Sequence, residues 1–96
     1  MQKTALVTGA GSGIGEATAV LFGQEKANVV ISDIQEKEGE STSDLIISGG
    51  GTAKFVSGDV SVPKDAKNIV EKAIETYGSV DVVVNSAGII SGPGYG

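Results

Sequence analysis

Thr8-Gly9-Ala10-Gly11-Ser12-Gly13-Ile14-Gly15 stands between an apolar segment, Lys3 to Thr8, and a longer one from Gly13 to Lys26 whose apolar residues recur at helical spacing. The first segment, Lys-Thr-Ala-Leu-Val-Thr, is apolar at its centre on both faces, which predicts a buried parallel strand. In the second, Ile14, Ala17, Leu21 and Phe22, with Ala19 and Val20 alongside, follow the spacing of a helix laid on a sheet. A glycine-rich turn at such a strand-to-helix junction is where an α/β protein builds a cradle for phosphate. Gly9, Gly13 and Gly15 let the backbone turn tightly, approach a pyrophosphate without a Cβ in the way, and pack the new helix on the strand. An anion placed there meets free backbone N–H groups and the positive end of the helix dipole.

Outward from this turn the pattern repeats. Asn28 to Ser32, around Val29-Val30-Ile31, predicts a second buried strand, with Asp33 just past its carboxyl end. Ile34 to Ser48 predicts a helix with Thr42, Leu45 and Ile46 on its inner stripe, ended by Gly49-Gly50-Gly51. Thr52 to Ser57 supplies a third strand, followed by Gly58-Asp59-Val60. Ser61 is the expected cap of the next helix, with Pro63 in its first turn, Ala66, Ile69, Val70, Ala73, Ile74 and Tyr77 as its apolar stripe, and Gly78 as its stop. Val80 to Asn85 is the fourth strand and runs into Ser86-Ala87-Gly88, while Ser91 to Gly96 reads as an unstructured tail. Each crossover is too long for a hairpin and suits a helix returning the chain to a parallel strand, which gives an α/β fold.

Composition narrows the chemistry. The 96 residues make one small domain that buries roughly 60–65% of its unfolded surface. With 40% apolar residues and only two Tyr and two Phe, the core must rest on Val, Ile, Leu and Ala. Twelve acids face seven bases, all of them Lys, which argues against a nucleic-acid partner. No apolar run approaches the roughly 18–20 residues of a membrane span, and the N-terminus lacks a signal-peptide layout. A cytoplasmic protein with an intact natural start is the expectation. Without Cys or His there is no disulfide, no thiolate or imidazole metal site and no Ser-His-Asp or Cys-His machinery. No metal site is expected.

The turn alone is weak evidence of a nucleotide site. It does not match G-x-G-x-x-G, because Ile14 stands where that motif places its third Gly after Gly9 and Gly11. The second element is an acid about twenty residues onward, at the end of the second strand, where a carboxylate accepts hydrogen bonds from an adenosine ribose. Asp33 fills that place, with a solvated turn residue as the alternative.

At these residues the chain resembles the short-chain dehydrogenase/reductase family, whose motif T-G-x-x-x-G-x-G stands here as Thr8, Gly9, Gly13 and Gly15. The resemblance runs from Lys3 to about Ile90. It implies a Rossmann-like doubly wound parallel sheet, truncated after the fourth strand in the order 3-2-1-4, with residues 1–90 as a dinucleotide-binding half domain and 91–96 as a flexible tail. It also implies that Asp59 and Val60 meet the adenine, and that Asn85, Ser86, Ala87 and Gly88, in place of the family's N-N-A-G, line a ribose and brace the sheet. The second Asn of that motif is Ser86 here. The alternatives are a helix-opening role for Asp59 and a plain strand-ending turn for Asn85 to Gly88. The implied cofactor-binding set is Gly9, Ser12, Gly13, Ile14, Gly15, Asp33, Ile34, Asp59, Val60, Asn85, Ala87 and Gly88.

NAD is favoured over NADP. A carboxylate at Asp33 repels a 2′-phosphate, and Ser12 and Ile34, where phosphate-accepting relatives carry a basic group, are uncharged. Lys37, one helical turn along, is read as a surface charge. The family's Tyr-x-x-x-Lys pair, in which Lys lowers the phenol pKa for proton exchange with an alcohol or ketone, is missing. Tyr77 is followed four residues later by Asp81, Tyr95 is next to last, and Ser86 and Ser91 come too early to be the family's catalytic Ser. No catalytic residue is therefore assigned. The readings are the NAD-binding portion of an alcohol or ketone oxidoreductase, a non-catalytic nucleotide-binding or oligomerising module, or a fragment without function. In all of them the fourth strand is an open edge, from which self-association is expected.

Overall fold

The computed structural model describes residues 2–86. Its elements are β1 (Thr4–Thr8), α1 (Gly13–Gln24), β2 (Asn28–Asp33), α2 (Glu36–Ser48), β3 (Thr52–Ser57), α3 (Pro63–Tyr77) and β4 (Val82–Asn85). The strands form one parallel sheet in the order β3-β2-β1-β4, as the βα alternation and the family pattern predicted. Ala87, Gly88 and the expected tail lie outside the described residues.

The period of two along each strand sends alternate side chains to opposite faces. Val7, Val29 and Ile31 pack with Ala19 and Ile46 beneath α1 and α2. Leu6, Val30 and Val56 pack with Ile69 and Ala73 of α3 on the other face. Every residue of β1 is buried, because it has a strand on each side and helices on both faces. Register is pinned at the base of β1: the Asp81 N–H donates to the Thr4 carbonyl at 2.8 Å, and the Thr4 N–H donates to Asp81 Oδ2 at 2.8 Å.

The inner face of α1 differs from the expected stripe. Ile14 and Leu21 are 69% and 61% exposed and Ala17 is exposed, whereas Gly15, Ala19 and Gly23 face inward. Spacing favours the large residues, but the helix lies too near its neighbours to seat them. A Cβ on Gly23 would stand 2.7 Å from Ile46 Cγ2 of α2, and one on Gly15 would overlap the Gly9 carbonyl oxygen. Val20 and Phe22 pack at the rim of the core. In α2, Thr42 and Ile46 are buried as expected and Leu45 is exposed. In α3, Ile69 and Ala73 are buried while Val70 and Ile74 remain exposed.

Two boundaries move for local reasons. The first helix stops at Gln24, since Lys26 takes a left-handed φ of 70° and the Ala27 N–H reaches back to the Phe22 carbonyl at 3.1 Å. Ser61 is not the cap of α3. Val62 holds that position without a side-chain bond, and the Ser61 hydroxyl instead donates to Asp59 Oδ1 at 2.6 Å.

Candidate functional site

All four strands point their carboxyl ends at one edge of the sheet, and the glycine turn lies across it. Gly9 and Gly13 have φ of 65° and 58°, in the left-handed region that glycine enters most readily, so the turn's course is set at those two residues. A Cβ at Gly13 would meet nothing within 4 Å. Ser12 is extended and opens α1 without a side-chain cap. The amides of Gly13, Ile14 and Gly15, in the first turn of the helix, find no acceptor among the described residues.

The rest of the turn is tied down. The Ala10 N–H donates to the Ser32 carbonyl at 3.2 Å, and the Gly11 N–H donates to Asp33 Oδ2 at 2.8 Å. The Thr42 hydroxyl donates to the Ala10 carbonyl at 2.8 Å. A Cβ at Gly11 would stand 2.9 Å from Asp33 Oδ2 and 2.8 Å from Glu38 Cβ, so glycine is needed there for space. At the β4 side, the Ser86 hydroxyl donates to the Thr8 carbonyl at 2.6 Å with the Gly9 carbonyl 3.2 Å away, and the Ser86 N–H also reaches the Thr8 carbonyl. The replacement of the family's second Asn therefore leaves a side chain short enough to bond the turn directly.

Asp33 does more than a solvated turn residue would. Its Oδ1 accepts the Gln35 N–H at 2.9 Å while Oδ2 holds Gly11, and each carboxylate oxygen retains a further lone pair for a ligand hydroxyl. Asp59 accepts from Ser61 twice, from the hydroxyl and from the amide at 2.9 Å, and these bonds hold its carboxyl below the ordinary carboxylate range. Its own N–H donates to Asp65 Oδ2 at 3.0 Å, so Asp59 organises the opening of α3 as well as lining the edge. Asn85 Oδ1 accepts the Thr8 hydroxyl at 2.9 Å.

Two adjoining hollows share Gly9, Asp33 and Ile34. One, of about 430 Å³, adds Ser12, Ile14 and Gly15 with Gln35 and Ser86. The other, of about 270 Å³, adds Asp59, Val60 and Asn85 with Thr8, Ser32, Gly58 and Ser61. The sheet edge thus places the predicted residues around these two adjoining hollows, with Gly13 in the turn beside them and Ala87 and Gly88 outside the described residues. Sequence reading passed over Gly11, Thr42 and Gln35. Gly11 was visible as a fourth glycine of the turn, and Thr42 as the one hydroxyl on an otherwise apolar stripe. Among the described residues no cluster of carboxylates could hold a metal, and no helix is long and apolar enough to cross a membrane.

A model of the short chain dehydrogenase family matches residues 3–95. An uncharacterised oxidoreductase of Thermotoga maritima is 52% identical over 88 residues, covering 92% of this chain and 34% of that protein. The cyclohexanol dehydrogenase of Acinetobacter sp. is 42% identical over 88 residues, covering 92% and 35%. The crystal structure of a short chain dehydrogenase from Mycobacterium smegmatis superposes with a TM-score of 0.86 at 38% identity, covering 92% of this chain and 38% of that one. A hydroxysteroid dehydrogenase from Escherichia coli gives 0.85 at 36% identity, covering 86% and 35%. This chain spans about a third of the length of the curated relatives it matches. On the family match and the shared fold together, the chain belongs to the short-chain dehydrogenase family.

Proposed function

We propose that this chain is the adenosine- and pyrophosphate-binding portion of an NAD-dependent oxidoreductase acting on an alcohol or ketone. The observation that carries the reading is that Ile14 and Gly15, whose amides have no acceptor among the described residues, line one hollow together with Asp33, with Gly13 in the turn beside it. The amides and the helix dipole neutralise a pyrophosphate, and the open space beside Gly13 admits its close approach. Asp33, already oriented by Gly11 and Gln35, accepts the ribose hydroxyls. Val60 and Asp59 flank the hollow next to it, where an adenine fits. Ser12, Ile34 and Asn85 complete the wall.

Discrimination follows from charge. A 2′-phosphate set against the Asp33 carboxylate adds like charge at hydrogen-bond range, and the uncharged Ser12 and Ile34 do not offset it, so NAD is preferred to NADP. When bound, such a cofactor supplies hydride transfer. The residues of this chain bind and orient it, and the Tyr-x-x-x-Lys proton-exchange pair is absent from the sequence. A further part of the proposal is self-association through β4, whose outer edge has no strand beside it among the described residues.

Calorimetric titration of the 96-residue chain with NAD⁺ and NADP⁺ tests the site. NAD⁺ binds more tightly than NADP⁺, and Asp33→Ala weakens NAD⁺ by at least about ten-fold, the scale of a charged hydrogen bond. Equal affinity for the two cofactors, or no heat from a folded chain, sinks the reading.

A further inference from the structure

The carbonyl of Ala10 lies at the bend of the glycine turn, in a residue with no exposed surface, where water cannot satisfy it. Among the described residues the group that reaches it is the hydroxyl of Thr42, at 2.8 Å, from the inner face of α2 and 32 residues away in the chain. Thr42 is 1% exposed and lines neither hollow of the site, so it touches no ligand there. Its hydroxyl has one proton and two acceptors within reach. The Glu38 carbonyl, one turn back on the same helix, is the ordinary local partner of a helical threonine, but it is the farther one at 3.2 Å. The bond to Ala10 is therefore made in preference to the local one.

Its effect falls on the turn. Ala10 N–H, Ala10 C=O and Gly11 N–H are consecutive polar groups held in order by Ser32, Thr42 and Asp33. With these committed, the next part of the turn carries the amides that remain available to an anion. We propose that Thr42 is a positioning residue for the cofactor's pyrophosphate, holding the glycine turn from behind in the conformation that presents the Gly13 and Ile14 amides. The inference rests on the dinucleotide reading above. Without the hydroxyl, Ala10 is left with an unpaired buried carbonyl, and the turn relieves it by populating other conformations. Apparent affinity then falls in proportion to the competent fraction.

Thr42→Val keeps the shape and removes the hydroxyl, Thr42→Ser keeps the hydroxyl, and Thr42→Ala removes both. If Val is not tolerated, the Ser and Ala pair still isolates the hydroxyl. Each is titrated with ADP and with adenosine well below its melting temperature, and exchange of the Gly11 amide is followed by NMR in the ligand-free chain. The expected result for Thr42→Val is ADP binding weaker by roughly ten-fold, adenosine binding near the parent's, and faster Gly11 exchange, all restored by Thr42→Ser. A lower melting temperature with unchanged ADP affinity and unchanged Gly11 exchange overturns the inference and leaves Thr42 a plain core residue. Failure of the parent to bind either ligand overturns the dinucleotide reading instead.

Discussion

Gly15→Ala is the sharpest perturbation of this fold, because two opposing effects can be weighed against each other. In an isolated helix the change is favourable by about 1 kcal/mol, since alanine loses less backbone entropy than glycine. Here the new methyl overlaps the Gly9 carbonyl oxygen and the Ser86 hydroxyl, and it comes within 2.8 Å of the Gly9 carbonyl carbon. Ser86 can rotate away, at the loss of its 2.6 Å bond to the Thr8 carbonyl, which is worth about 1 kcal/mol. The Gly9 carbonyl is backbone and cannot yield unless the turn or the whole helix moves, an overpacking cost of roughly 1–3 kcal/mol. The balance is a net loss of about 2 kcal/mol.

For a chain of 96 residues, at about 4–8 °C per kcal/mol, that is a fall in melting temperature of roughly 8–16 °C. Urea unfolding followed by far-UV circular dichroism checks it, with a lower midpoint and an unchanged slope. Gly23→Ala is the control. Its Cβ would meet Ile46 Cγ2 at 2.7 Å, the end of a side chain that can repack, so it loses less than Gly15→Ala. A Gly15→Ala variant as stable as the parent, or less harmed than Gly23→Ala, would show that α1 is not held against the turn in the way described.

Two further outcomes follow from single groups. The Thr4 N–H, with smaller help from Ser79 and Lys3, lowers the Asp81 carboxyl below its ordinary value. A carboxyl depressed in the fold stabilises it above the unfolded pKa, about 3.9, and the benefit is lost as pH falls through the lower folded value. Asp81→Asn should therefore flatten the acid limb of a stability–pH profile while barely changing its trend above pH of about 5, and an unaltered acid limb refutes the assignment. On the open edge, Val83 is 60% exposed. Sedimentation velocity of the parent should show mass rising with concentration, and Val83→Lys should abolish it. A parent that stays monomeric across the range removes the self-association reading.

The strands were legible because they rest on local, strong signals, apolar runs at Val29-Val30-Ile31 and Val82-Val83-Val84 and crossovers long enough to hold a helix, while their order followed from the resemblance to the family motif at Thr8, Gly9, Gly13 and Gly15. The face of α1 was not. Periodicity weighs hydrophobicity, whereas the packing distance to the turn and to Ile46 selects for smallness, so Gly15, Ala19 and Gly23 displaced Ile14 and Leu21 from the interior. Ser61 carried the composition of a cap, but the nearby Asp59 carboxylate competed for its hydroxyl. Asp33 was legible as an acid at a strand end, yet its bond to Gly11 was not, because that bond joins residues 22 apart and exists only once β1 and β2 are side by side.

The same distinction explains how the glycine turn is held in one conformation. The glycine turn has few bonds of its own, and its conformation is fixed by groups from three other elements: Asp33 with Ser32 from β2, Thr42 from α2, and Ser86 just beyond β4. Each reaches a different part of the turn, Ser86 the entry at Thr8 and Gly9, Thr42 and Ser32 the bend at Ala10, Asp33 the exit at Gly11. The amides that follow have no acceptor among the described residues, and on the proposed reading a pyrophosphate would meet donors already aimed, with little ordering left to oppose association. The sheet order matters to the turn for this reason. With β1 between β2 and β4, the turn leaving β1 can be held from both sides at once, which a glycine-rich segment at a sheet edge could not be.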